Sequence, residues 1–120
     1  PPLYRVYSIK YSKHERDPME KKIVYVPGHK QLMDEDGKPL VPISPAVIAN
    51  GFVYVSGQPP LDYTTRKLVS GDIQVQTRQV LENVKEVLAA AGTSMGKVLK
   101  TNVYCTKSGH FDLVSNVYRE

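Results

Sequence analysis

The sequence predicts an α+β fold in which two helices pack on one face of a mixed sheet. Two observations carry this prediction. Short runs of β-branched and aromatic residues indicate strands, and longer segments with apolar residues every three or four positions indicate helices. These elements follow the order strand, hairpin, helix, strand, helix, and 120 residues give room for one core. Such an arrangement leaves the second face of the sheet in need of a partner.

The first third of the chain is predicted to contain two strands and a loop. Residues 3–11 alternate apolar and polar side chains, as a half-buried strand does. Residues 23–26 are β-branched or aromatic, and Pro27 and Gly28 end that run. Residues 34–39 are polar and rich in turn formers, which predicts a surface loop.

A hairpin is predicted next. Residues 46–49 and 52–55 are apolar runs that flank Asn50 and Gly51. Asn-Gly tolerates the two positive φ angles of a type I′ turn, the preferred two-residue connection between antiparallel strands.

The longest predicted element is an amphipathic helix that starts near Ile73. Its apolar residues recur at offsets of three and four. Ser70 or Asp72 can cap its first turn, and Gly92 can take the left-handed conformation that ends it. The apolar stripe consists of Ile73, Val80, Leu81, Val84, Val87, Leu88 and Ala91, whereas Arg78, Glu82, Lys85 and Glu86 are expected in solvent.

Two elements are predicted after this helix. Residues 99–105 alternate as a strand, with Leu99, Val103 and Cys105 on the face expected to be buried. A buried, inert Cys105 thiol is therefore favoured over a nucleophile. Phe111, Val114 and Tyr118 recur at helical spacing, which predicts a second helix.

Composition and charge limit the function classes. With 41% hydrophobic and 23% charged residues the chain is predicted to fold, and it contains no apolar run long enough to cross a bilayer. The single cysteine fits a reducing compartment, so a cytoplasmic or mitochondrial location is expected. The net charge of +4 favours anionic ligands. However, the basic residues are scattered, so solvated surface is favoured over a nucleic-acid site.

Spacing alone identifies no reaction. His14, His29 and His110 lack metal-ligand spacing and are expected to be surface histidines, so no metal site is predicted. The turn at Ser56, Gly57 and Gln58 is the exception, because a residue without Cβ lets backbone amides approach a ligand carboxylate. The alternative is that Gly57 only relieves crowding at a strand end.

Several motifs together resemble one family. Ser56-Gly57-Gln58-Pro59 is followed by Gln76-Thr77-Arg78-Gln79-Val80-Leu81-Glu82-Asn83, and later by Val98-Leu99-Lys100-Thr101-Asn102-Val103-Tyr104. This pattern resembles the Rid/YjgF family of reactive-intermediate imine deaminases, also known as L-PSP endoribonucleases. The resemblance covers residues 19–120, which are expected to form the domain, and leaves residues 1–18 as an N-terminal extension. It stops before the family's last two strands, which carry a Pro-Ala-Arg motif and a late Glu.

The resemblance implies a chorismate-mutase-like (YjgF-type) fold, in which three subunits form a central barrel with ligand clefts between them. It also implies hydrolysis of 2-imino or 2-enamino acids to 2-oxo acids and ammonia, without a cofactor. In the family an Arg and backbone groups bind the substrate carboxylate, and a Glu holds the attacking water. A small carboxylate or imine ligand and a homotrimer are therefore expected, and no membrane partner.

Residue by residue, the resemblance marks four substrate-binding positions: Ile43, Ser56, Gly57 and Ser115. Ser56 and Gly57 match the family, whereas Ile43 stands in place of a Tyr and Ser115 in place of an Asn. The Arg and the Glu have no counterpart before Glu120, so no catalytic residue is assigned. A weakened deaminase is the first hypothesis, a non-catalytic trimeric binder or regulator the second, and an RNA-binding endoribonuclease the third.

Overall fold

The computed structural model describes residues 20–29, 34–38 and 40–120. The strand predicted at residues 3–11 and the extension at residues 1–18 lie outside this part. The described elements are five strands, β1 to β5, at Lys21–Val24, Ala46–Ala49, Phe52–Val55, Leu61–Asp62 and Lys67–Leu68; two α-helices, α1 at Ile73–Ala90 and α2 at Phe111–Tyr118; and single 3-10 turns at Met95–Lys97 and Ser108–His110. Their content confirms the predicted α+β class. No helix in this part is long and apolar enough to span a membrane.

The main sheet contains β1, β2 and β3 in sequence order, with both pairs antiparallel. Asn50 and Gly51 connect β2 to β3 with φ angles of 50° and 78°, which confirms the predicted hairpin. β1 begins at Lys21, two residues before the predicted start. The short pair β4 and β5 forms a second antiparallel sheet that the sequence analysis missed.

Helix α1 covers one face of the main sheet. Val24, Ala46 and Val87 form the buried centre of this contact, and Val55 pairs with Ala46 beside it. Because side chains alternate along a strand, the neighbouring residues point the other way. This second face is exposed and apolar, and its members are Ile23, Tyr25, Phe52 and Tyr54.

Both ends of α1 are determined by local chemistry. At the start, the Asp72 carboxylate accepts hydrogen bonds from the N–H groups of Gln74 and Val75, each at 3.0 Å. Asp72 rather than Ser70 is therefore the N-cap. At the end, Gly92 has a φ of 82°, and the N–H of Thr93 donates to the Leu88 carbonyl at 2.9 Å. The prediction that Gly92 ends α1 in the left-handed conformation is confirmed.

Helix α2 is present where the sequence predicts it, but a different stripe is buried. Val114 and Val117 are buried, whereas Phe111 is 67% exposed and Tyr118 40% exposed. Phe111 is the first residue of the helix. Spacing predicted the helix correctly and its buried face only in part.

The strand predicted at residues 99–105 is wrong. This segment forms no strand in the described part of the chain, and Leu99 and Tyr104 are 83% and 91% exposed. Cys105 is exposed as well, so the prediction of a buried thiol is also wrong. Alternation indicates which residues a strand would bury, but a strand forms only where a neighbour accepts its hydrogen bonds.

A bidentate ion pair joins the start of α1 to the residue that follows the last turn of α2. The Arg78 Nε and Nη2 atoms donate to the two Glu120 carboxylate oxygens at 3.1 and 2.6 Å. The Arg78 hydrogen bond, together with the Arg78 charge, holds the pKa of Glu120 below its ordinary value. Both side chains are exposed, so the pair is expected to add little stability.

The sign of the pH dependence follows from that lowered pKa. A carboxylate whose pKa is lowered by folding stabilises the folded state at pH values above its unfolded-state pKa. This stabilisation is lost as the pH falls through the folded-state pKa. Arg78→Gln should therefore lower the Tm slightly at pH 7, and the difference from wild type should shrink as pH falls from 7 to 3, below the ordinary pKa of Glu120. Thermal unfolding followed by circular dichroism at both pH values measures this. Lys85→Gln is the control, because Lys85 forms only a longer, single contact of 3.8 Å with Glu82. A Tm difference for Arg78→Gln that is as large at pH 3 as at pH 7 would contradict the assignment.

Candidate functional site

The candidate site is the turn that follows β3, formed by Ser56, Gly57 and Gln58. Two bonds from Ser56 attach it to the segment before β2. The Ser56 N–H donates to the Pro45 carbonyl at 3.0 Å, and the Ser56 hydroxyl donates to the Ser44 carbonyl. The hydroxyl proton is therefore used to hold the turn, while the hydroxyl oxygen can still accept a hydrogen bond.

Gly57 is the open position of this turn. It is exposed, and a Cβ built on it would meet no atom within 4 Å. Within the described residues, no hydrogen bond uses the N–H of Gly57 or of Gln58. Two successive amides beside a residue without a side chain can donate to a ligand carboxylate. The space around Gly57 does not support the alternative that this glycine only relieves crowding.

Asn83 of α1 holds the chain that leaves the turn. Its side chain is 2% exposed, and its Nδ2 atom donates to the carbonyls of Pro59 and Leu61 at 3.0 and 2.9 Å. Its Oδ1 atom accepts from Gln79 Nε2 at 2.9 Å. A buried amide with three partners fixes residues 59–61 against the helix.

Asn83 is the last residue of the motif that begins at Gln76, but no role was predicted for its side chain. A signal was present, because Asn83 lies at helical spacing from Val80 and Val87 in the otherwise apolar stripe. A polar residue at such a position must find partners when it is buried. Thr77 is a second case, since it is buried and its hydroxyl donates to the Ile73 carbonyl at 2.6 Å.

The four predicted binding residues are only partly brought together. Ile43 is 47% exposed and precedes Ser44, which contacts Ser56 directly. Ile43 and Gly57 are therefore each next in sequence to one partner of the hydrogen bond between Ser56 and Ser44. Ser115 is half-buried on α2, and within the described residues no hydrogen bond joins it to the turn. Ligand binding by these four residues stays a prediction.

The prediction that His29 is a surface residue is wrong. His29 is 7% exposed, and its Nε2 atom lies 2.8 Å from a Glu86 carboxylate oxygen. The partner is 57 positions away, so no local pattern revealed this contact. His14 lies outside the described residues, and His110 is half-buried. In the part that the structure describes, no three His, Cys, Asp or Glu side chains form a group suited to a metal ion.

Comparisons with known proteins all lead to one family. The family model described as endoribonuclease L-PSP matches residues 33–120. Among curated relatives, a RutC family protein of Pyrococcus horikoshii is 46% identical over 83 residues, which are 69% of this chain and 66% of that protein. One from Sulfurisphaera tokodaii is 45% identical over the same shares. The chain thus spans just under two thirds of the length of these relatives.

Solved structures give the same result. The Rid family protein YyfA of Yersinia pestis has a TM-score of 0.70 and 34% identity, covering 82% of this chain and 73% of that one. The Escherichia coli protein TdcF, solved with bound serine, has a TM-score of 0.67 and 32% identity, covering 82% and 71%. At these identities the likeness extends beyond general architecture to the family's own fold.

Proposed function

Because the chain belongs to the endoribonuclease L-PSP family, also called Rid/YjgF, we propose that it hydrolyses reactive 2-imino or 2-enamino acids to 2-oxo acids and ammonia. The observation that carries the proposal is the open Gly57, with two successive amides that have no partner within the described residues. These amides would bind the substrate carboxylate. TdcF supports this ligand class, since the serine bound to that relative also carries a carboxylate next to a carbon–nitrogen bond.

The reaction requires few catalytic groups from the protein. Water adds to the imine carbon, the carbon–nitrogen bond breaks, and ammonia leaves as the carbonyl forms. An imine is already electrophilic, so holding its carboxylate in place and orienting the carbon toward a water can accelerate the reaction through positioning. The N–H groups of Gly57 and Gln58 would bind the substrate carboxylate, and they would not need to reorganise during the reaction.

The first test is a substitution at Gly57. Gly57→Leu should lower kcat/KM for freshly generated 2-iminobutyrate about tenfold or more, because a side chain would fill the space that the carboxylate needs. Oxo acid formation measures the rate against buffer. Gly57 is not in the left-handed region and a Cβ there has open space, so the variant should fold.

Gly96→Leu is the matched control, because Gly96 also lies outside the left-handed region and has no atom within 4 Å of its built Cβ. It should keep the wild-type rate. Equal rates for Gly57→Leu and wild type would show that the turn is not the substrate site.

The second candidate is a small-molecule binder or regulator without catalysis. The observation that favours it is that the Glu86 carboxylate, which lies in the contact network beside the turn, is already bonded to His29. A carboxylate with a buried partner is poorly placed to hold a water. Saturable 2-oxobutyrate binding by calorimetry, together with no acceleration of 2-iminobutyrate hydrolysis, would support this candidate over the deaminase.

Cleavage or binding of RNA is the third candidate, and it rests on the family's printed name and the net charge of +4. Arg78 is already paired with Glu120, which reduces its capacity for phosphate contacts. RNA binding that weakens steeply with salt would raise this candidate. Absence of binding at low salt would remove it.

A homotrimer is part of the same proposal. The exposed face of the main sheet places Ile23, Val47 and Tyr54 in one row across three strands, and Ile23 and Tyr54 are 41% and 62% exposed. Phe52 beside this row is 50% exposed. Contiguous apolar surface of this kind favours association between copies. Sedimentation velocity should give about three times the chain mass, and a monomer at micromolar concentration would contradict the trimer.

A further inference from the structure

Three side chains from distant parts of the chain meet beside the candidate turn: His29, Tyr63 and Glu86. The His29 and Tyr63 rings are stacked, with centroids 3.7 Å apart and planes 17° from parallel. Glu86 of α1 bonds to His29 at 2.8 Å. We call these three residues the His29 cluster. None of them is assigned a role in binding above.

A tight turn places His29. Pro27 and Gly28 occupy its centre, Gly28 has a φ of 91°, and the His29 N–H donates to the Val26 carbonyl at 3.2 Å. Pro followed by Gly with positive φ is the pattern of a type II turn. This turn reverses the chain after β1, and the His29 ring is buried against α1 and Tyr63.

The bond to Glu86 sets the orientation of the His29 ring. A carboxylate can only accept hydrogen bonds, so the proton in this contact is on His29 Nε2. With the ring held in this way, its face lies nearly parallel to the Tyr63 ring, and the two rings stack. Burial, together with the Glu86 charge, raises the pKa of Tyr63, so its hydroxyl keeps its proton and can donate.

Tyr63 connects the cluster to the turn. Its hydroxyl donates to Gln58 Oε1 at 3.4 Å, and Gln58 Nε2 donates to the Ser56 carbonyl at 3.0 Å. The first of these bonds is long, so it orients the Gln58 amide more than it stabilises the fold. With its oxygen toward Tyr63 and its nitrogen toward Ser56, Gln58 is held over the backbone of the turn.

We propose that His29, Tyr63 and Glu86 are positioning residues, which hold Gln58 and thereby fix the Gly57 and Gln58 amides in the geometry that binds a carboxylate. The ligand class rests on the proposed function. The positioning itself is a property of the ligand-free protein and can be measured without any ligand.

Tyr63→Phe tests the proposal, because it removes the bond to Gln58 and keeps the stacked ring. The dissociation constant for 2-oxobutyrate should rise about threefold to tenfold, as expected for one lost hydrogen bond. The urea midpoint should stay at the wild-type value. The ¹⁵N order parameters of the Gly57 and Gln58 amides should fall, which reports local motion of larger amplitude on the picosecond-to-nanosecond timescale. Tyr104→Phe is the control, because Tyr104 is 91% exposed and lies outside the main sheet.

A double-mutant cycle between Tyr63 and Gln58 distinguishes a positioning role of Tyr63 from a general structural role. In a Gln58→Leu background, Tyr63→Phe should have no further effect on binding. Glu86→Gln, which replaces the charged acceptor of the His29 hydrogen bond with a neutral amide, should change the order parameters in the same direction as Tyr63→Phe, whereas Glu82→Gln on the exposed side of α1 should not.

Unchanged order parameters and unchanged binding in Tyr63→Phe would overturn the proposal. If wild-type protein binds no carboxylate, the proposed function fails, and the order parameters alone then decide for or against the His29 cluster.

Discussion

Asn83→Leu should lower the free energy of unfolding by about 2 to 4 kcal/mol and should abolish carboxylate binding at the turn. Leucine has the same branching of side-chain heavy atoms as asparagine, but its two methyl groups are larger, so the hydrogen bonds are lost and the buried packing is also strained. The carbonyls of Pro59 and Leu61 and the Gln79 amide would lose their Asn83 partner, and each of these part-buried hydrogen bonds contributes about 0.5 to 1.5 kcal/mol. Urea unfolding measures the first effect and calorimetry with 2-oxobutyrate the second.

Asn116→Leu is the matched control for this change. Asn116 also lies in a helix, but it is exposed and its Oδ1 atom accepts only from Arg119 at 3.2 Å. Its replacement should change the unfolding free energy by less than about 0.5 kcal/mol. If Asn83→Leu were as stable as Asn116→Leu, the hydrogen bonds from Asn83 would not be what fixes residues 59–61 against α1.

The elements that local chemistry determines were predictable from the sequence. Asn50 and Gly51 specify the hairpin because few residue pairs accept two positive φ angles. Asp72 and Gly92 specify the ends of α1 because a side-chain acceptor and a residue without Cβ are needed there. The Ser56, Gly57 and Gln58 turn belongs to this group, and its open backbone agrees with the reasoning from residue types.

Features that depend on distant contacts were not predictable. His29 is buried because Glu86 and Tyr63 are brought to it by the fold, and nothing near His29 in the sequence indicates either partner. Residues 99–105 alternate as a strand does, yet pairing depends on a neighbouring strand. The role of Asn83 is intermediate, because its position within the apolar stripe signals burial but not which carbonyls it binds.

Val87→Asp should remove most or all of the folded population at pH 7. Val87 is 0% exposed and forms one buried cluster with Val24 and Ala46 where α1 contacts the main sheet. An ionised carboxylate buried there without a partner costs several kcal/mol, and domains of this size are stable by only about 5 to 15 kcal/mol. Circular dichroism should show loss of helix signal, and urea unfolding should show a small or absent cooperative transition.

Val75→Asp places the same substitution on the same helix at a position that is 42% exposed. Val75 is in the first turn of α1, where a negative charge interacts favourably with the helix dipole, so this variant should keep a wild-type midpoint or exceed it. The pair therefore separates burial from helix propensity, since each variant replaces one valine of α1 with aspartate. If Val87→Asp also unfolded near the wild-type midpoint, Val87 would be accessible to water, and the main sheet would have to bury its apolar side chains on its other face.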